Sequence, residues 1–129
     1  TDCASLWLEA RGALLLGRQR GGPTAFTPRD ALELATRGSA ACLGRLGELG
    51  VLAPGACADV VAWKLDGLAF AGALTDPVEA LLRCGPTQAH HTVVAGRALV
   101  EDGELRADGV DAILRRHRAA AGRLQGVDV

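Results

Sequence analysis

The sequence contains no methionine and no tyrosine, and aromatic residues fill only 3% of its 129 positions. Each shortage excludes something. With two tryptophans and two phenylalanines, the chain has few rings on which nucleic-acid bases stack. A basic surplus is missing too: 14 Lys and Arg face 15 Asp and Glu, for a net charge of −1. The electrostatic footprint of a nucleic-acid-binding protein is therefore not there. The longest apolar runs, such as Ala13–Leu16, are far too short to span a bilayer. No charged start leads into an apolar stretch, so no secretory signal is read. The expected partners thus include neither nucleic acid nor membrane, and a cytoplasmic location is expected. The lack of Met even at position 1 predicts a piece cut from a longer protein.

What is present is ordinary globular material, 49% hydrophobic. The four cysteines, Cys3, Cys42, Cys57 and Cys84, form no CxxC pair and fit no zinc-ribbon spacing. Free, mostly buried thiols are the expectation.

Leu6, Ala10, Ala13, Leu14 and Leu16 recur at helical spacing across residues 5–20. Gly21-Gly22-Pro23 stops that helix. Such an apolar helix calls for a large partner surface. Thr27-Pro28-Arg29-Asp30 is a helix start: a capping hydroxyl, a proline at the first position, an acid at the positive end of the dipole. That helix runs to Arg37 or Gly38, and a second short one follows over Ser39–Leu43. Gly47, Gly50, Pro54 and Gly55 mark a turn-rich linker. Strands are predicted over Ala58–Trp63, His91–Val94 and Ala98–Val100, with Asp102-Gly103 as a hairpin turn. Asp76 caps a short helix over Val78–Arg83, ended by Cys84-Gly85-Pro86. Asp108 to Leu124 forms a closing helix with Val110, Ile113, Leu114 and Leu124 on one side and a solvated arginine face opposite. Three short strands make a thin sheet with one face and an edge uncovered.

Catalytic candidates are few. The histidines are His90, His91 and His117, and none forms His-x-His. Neighbours on a strand face opposite sides, so His90 and His91 reach one metal only through a bulge. His117 sits among arginines. Structural roles are expected for all three. Asp30 is accounted for by capping and Asp59 by a turn-to-strand junction, while Glu101, Asp102 and Glu104 belong to a solvated hairpin tip. Cys84 has no sequence sign of a base beyond His90, and Ser5 and Ser39 lack elbow-type glycines. No catalytic residue and no metal ligand is assigned to this chain.

Three stretches carry a resemblance. Glu9-Ala10-Arg11 with Ala13–Leu16 looks like the helix after a last barrel strand. Residues 27–44 (TPRDALELATRGSAACLG) follow T-x-x-x-A-L-x-x-A-T-x-x-x-A-x-x-L-G, and residues 50–63 (GVLAPGACADVVAW) follow G-x-L-x-x-G-x-x-A-D. Together they resemble the amidohydrolase superfamily, in its cytosine, guanine and triazine deaminase branch. Residues 76–92 resemble the subgroup acting on 8-oxoguanine and hydroxylated triazines. Residues 93–105 are similar to a hairpin widespread in the superfamily.

The resemblance covers roughly residues 1–106 and implies an α/β parent, a (β/α)8 barrel plus a small β-sandwich domain built from both chain ends. This chain would be the C-terminal α+β portion. Residues 1–45 would be terminal helices of the barrel, 46–106 the C-terminal half of the sandwich domain, and 107–129 a C-terminal helix. The implied parent is a hydrolase acting on non-peptide C–N bonds, of the cyclic amidine deaminase type, removing ammonia from a heterocyclic small molecule. Its zinc or iron would lower the pKa of a bound water, with ligands outside this chain. The implied partner is the remainder of its own barrel domain, with a homo-oligomer as a further expectation. Asp2 matches a residue in the loop at the barrel mouth, so the resemblance makes Asp2 and Cys3 substrate-pocket candidates. From the residues alone, Asp2 is a helix cap. Thr1 departs from the Asn common in the subgroup. The alternative to an inactive piece of such an enzyme is a stand-alone assembly module.

Overall fold

The computed structural model describes residues 5–84 and 88–126. The chain is a small α+β unit: helices come first, then a four-stranded antiparallel sheet interrupted by one helix, then a last helix.

Helix α1 (Leu6–Gly21) starts where Ser5 Oγ accepts the Leu8 N–H, and it ends where Gly22 takes φ 94° and donates to the Arg18 carbonyl. Helix α2 (Pro28–Glu33) has the capping box its sequence promises. Thr27 Oγ1 accepts the Asp30 N–H, and the Asp30 carboxylate accepts the Thr27 N–H at 2.7 Å. Helix α2 does not kink at Gly38. It widens into a π turn over Leu34–Gly38 and continues as α3 (Ser39–Cys42). Thr36 Oγ1 bonds back to the Leu32 carbonyl at 2.8 Å inside that turn.

Helix α4 (Pro77–Arg83) begins at Asp76, whose carboxylate accepts the N–H groups of Val78 and Glu79. The predicted stop at Gly85 and Pro86 lies outside the described residues. Helix α4 packs back on α1 and α2. The core is small: Ala10 and Leu14 from α1, Ala31 from α2, Leu82 from α4, with Trp7, Phe26, Leu32 and Ala35 around it. Small residues let the helices approach closely, and Leu14 and Leu82 fill the gap. Trp7 Nε1 donates to the Leu81 carbonyl at 2.6 Å, which pins α1 to α4. Arg29 reaches across from α2 and grips the Asp76 carboxylate at 2.7 and 3.2 Å.

The sheet order is β1 (Val60–Trp63), β2 (Ala89–Val94), β3 (Arg97–Glu101), β4 (Glu104–Leu105). The sequence suggests three strands; the two-residue β4 is the addition. Each hairpin turn has two residues at positive φ, Ala95 (48°) with Gly96 (78°) and Asp102 (52°) with Gly103 (81°). That is the type I′ geometry suited to twisted strands.

The G-x-L-x-x-G-x-x-A-D stretch now has physical content. Gly50 has φ +72°, and a Cβ there would meet the Thr36 carbonyl group at 2.6 Å. Only glycine lets the linker lie against the π turn. Pro54-Gly55 makes the next turn, with Gly55 at φ +88° and the Ala56 N–H on the Ala53 carbonyl. Ala58 and Asp59 precede the strand instead of opening it. The Ala58 carbonyl accepts the Gly96 N–H, and Asp59 Oδ1 accepts the Ala95 N–H at 2.7 Å. The motif therefore clamps the linker onto the β2–β3 turn.

Much apolar surface stays open. Leu6, Leu15 and Leu16 on α1 are exposed, as are Val60, Val61 and Val94 on the sheet. On the last helix, α5 (Val110–Gln125), the intended apolar side does not find a core. Ile113 is 55% exposed and Leu124 is 90% exposed. The arginines Arg115, Arg116, Arg118 and Arg123 are exposed, as the solvated-face reading expects. The cysteines correct the sequence reading. Cys42 is exposed, and Cys57 and Cys84 are half-buried. Cys42 ends α3, Cys57 lies in the linker and Cys84 is the C-cap of α4. All three are free thiols.

Candidate functional site

Asp2 and Cys3 lie outside the described residues. Among the described residues, no pocket gathers histidine, carboxylate and an oxyanion donor into a catalytic constellation. An open apolar groove of about 270 Å³ runs between helices and sheet, lined by Leu32, Thr36, Val51, Val60 and Trp63 among others. Another, of about 360 Å³, is bordered by Phe26, Leu34, Leu46, Asp30, Glu33 and Arg37. The acids in it have local work: Asp30 closes the capping box, and Glu33 pairs with Arg37 at 2.9 Å. Thr27's backbone N–H and hydroxyl hold the Asp30 carboxyl below its ordinary pKa.

The most perturbed carboxylate is also structural. The Arg29 fork, then the Glu79 N–H, draws Asp76 down to about 2. The same contact raises the pKa of Arg29. Asp76 joins the start of α4 to α2 and has the geometry of a strut, not of a proton donor.

One cluster of ligand-type side chains stands out, and the sequence reading dispersed it. Ala62 pairs with His91 and Trp63 with Ala89. One step on β1 thus spans two on β2, and His90 is the extra residue of a β-bulge. The condition for the two histidines to approach a common point is met. Their ring centroids are 4.4 Å apart with planes tilted 57°. Asp102, at the β3–β4 turn, faces both: its Oδ1 lies 3.5 Å from His90 Nε2 and 3.9 Å from His91 Nε2. His117 remains apart on the exposed arginine face of α5. The sequence does contain a trace of this cluster, a His-His pair shortly before an Asp-Gly turn. The bulge that joins them has no sequence mark.

Three helices around a small apolar core and a four-stranded antiparallel sheet, with apolar surface left open, make up this α+β chain. The comparisons give the family. The sequence model of the Amidohydrolase family matches residues 1–99. The chain is 46% identical over 123 residues to an 8-oxoguanine deaminase of Pseudomonas aeruginosa, covering 95% of this chain and 27% of that protein. Among solved structures it resembles a variant of an atrazine chlorohydrolase from Arthrobacter aurescens TC1 complexed with zinc and atraton. The TM-score is 0.78 at 36% identity, with 88% of this chain and 25% of that one covered. An adenosine deaminase from Xanthomonas campestris with bound zinc gives a TM-score of 0.84 at 25% identity, over 95% of this chain and 28% of that one. The chain belongs to the amidohydrolase family. It spans about a quarter of the length of these relatives.

A catalytic zinc takes about three protein ligands and keeps one position open. His90, His91 and His117 form no His-x-His pair. No hydrolytic step is assigned to these residues.

Proposed function

We propose that this chain is the C-terminal portion of a metal-dependent amidohydrolase that releases ammonia from an aminated heterocycle, an 8-oxoguanine-like purine or a triazine. Residues 1–45 contribute terminal helices of the barrel. Residues 46–106 contribute half of a composite sandwich domain, and 107–129 a closing helix. The carrying observation is the 46% identity to the 8-oxoguanine deaminase along 95% of this chain. The intact enzyme holds a zinc or iron ion in this reading, and the zinc-bound relatives favour zinc. Asp2 and Cys3 border the substrate pocket in this reading. No helix among the described residues is long and apolar enough to cross a membrane.

The open surface fits this reading. Leu6, Leu15 and Leu16 on α1 and the valines of the sheet are the faces that the remainder of the barrel and sandwich would cover. Burial of a Leu or Val side chain contributes roughly 1.5–3 kcal/mol, so several such residues at a junction hold two portions of one enzyme together.

The test is ammonia release from a panel of aminated purines, pyrimidines and triazines, run on the 129-residue chain and on the longer protein containing it. The longer protein is expected to turn over an oxidised purine or a triazine, and the chain alone nothing. Turnover by the chain alone would overturn the reading as a portion. Failure of the longer protein on the whole panel would overturn the substrate class and leave the family membership standing.

A further inference from the structure

We propose that His90, His91 and Asp102 form a binding site for a divalent transition-metal ion of borderline softness, such as zinc, at the junction of β2 with the β3–β4 turn.

Backbone geometry builds the site. In a regular strand the side chains of His90 and His91 would point to opposite faces. The bulge at His90 removes that alternation locally. The turn is fixed against it: the Gly103 N–H donates to the His90 carbonyl at 2.9 Å. Asp102 sits beside Gly103 at φ 52°, which turns its carboxylate toward the histidines. Main-chain bonds therefore hold together the two segments that carry the three groups.

The spacing suits an ion better than direct hydrogen bonds. Separations of 3.5 and 3.9 Å from one carboxylate oxygen to the two Nε2 atoms exceed the usual 2.7–3.2 Å of an N–H···O bond. Ligand atoms about 2.0–2.1 Å from a tetrahedral ion lie roughly 3.4 Å from one another. One ligand atom from each of the three residues falls within 4.8 Å of the others, so only small adjustments close the polyhedron.

The neighbouring charges leave the donor set clean. Glu101 and Glu104, on either side of the turn, both engage Arg106, at 3.4 and 3.2 Å. Asp102 is the carboxylate directed at the imidazoles. Two nitrogens and one oxygen suit zinc, cobalt, nickel or copper and not calcium or magnesium, which take oxygen ligands. The half-exposed rings leave room for water in the remaining positions. Bound there, an ion would cross-link the middle strand to the hairpin beside it.

The test is zinc binding by equilibrium dialysis on the folded chain, with cobalt as a spectroscopic probe. One equivalent of zinc is expected. Asp102→Asn and His91→Ala are each expected to weaken binding at least about tenfold, while His117→Ala leaves it unchanged. Asn is tolerated at positive φ, so D102N preserves the turn. The cobalt spectrum is expected to lack thiolate charge transfer. Imidazole 15N NMR on the unsubstituted chain assigns the ligands independently, with zinc shifting His90 and His91 and sparing His117. Absence of stoichiometric zinc, unchanged affinity in D102N and H91A, a thiolate band or a shift confined to His117 would each overturn the site.

Discussion

The helical part and the sheet part of this chain reach order by different means. Helices α1, α2 and α4 converge on buried apolar side chains, with Leu14 and Leu82 fully enclosed. Strands β1–β4 are organised by turns, a bulge and single polar clamps, while Val60, Val61 and Val94 stay open to solvent. A core tolerates few volume changes, whereas a sheet face open to solvent tolerates many. The chain spans about a quarter of the length of its relatives, and in the proposed reading the sheet is completed by residues outside this chain.

The largest effect that sharpens this contrast is a core truncation. Leu82→Ala and Leu14→Ala should each destabilise the helical part by about 3 kcal/mol, read from urea unfolding. Val94→Ala should cost under about 1 kcal/mol in the isolated chain. Equal costs at the two places would break the contrast.

Next comes the joint between the parts. Gly50→Ala adds a Cβ onto the Thr36 carbonyl at a positive φ and should cost about 2 kcal/mol or more. Proteolysis of the 45–59 linker should speed up in that variant. Trp7→Phe keeps an aromatic ring, smaller than the indole, and loses the Nε1 bond to Leu81. A loss of about 1 kcal/mol is expected.

The smallest effect is electrostatic. Asp76 falls from 3.8 to about 2 through Arg29 and the α4 N–H groups. A depressed carboxylate stabilises the fold above its unfolded pKa, and that contribution is lost as pH falls from near 4 through 2. Acid titration of the folded chain should show this loss, and Arg29→Ala should shift its midpoint upward. An unchanged midpoint would remove the strut.

Local signals in the sequence carry much of the helical part. Thr27-Pro28-x-Asp30 and Asp76-Pro77 state their caps outright, because capping depends on residues within one turn. The π turn at Leu34–Gly38 carried no such signal; a Cβ at Gly50, from another segment, would meet it. The hairpin turns were readable from Gly96 and Asp102-Gly103. The His90 bulge was not, because register is decided jointly by β1 and β2. The cysteines misled: hydrophobic character suggests burial, but Cys42 ends α3 on an exposed position and Cys57 lies half-buried in the linker. Asp2 and Cys3, the pocket candidates, lie outside the described residues.

Amide hydrogen exchange on the 129-residue chain, against the same residues within the longer enzyme, tests the central claim most directly. The account predicts that α2 and the buried face of α1 exchange alike in both, while β1, β2 and α5 gain protection in the longer protein. Identical exchange along the whole chain would contradict it, for the open sheet would then need no cover.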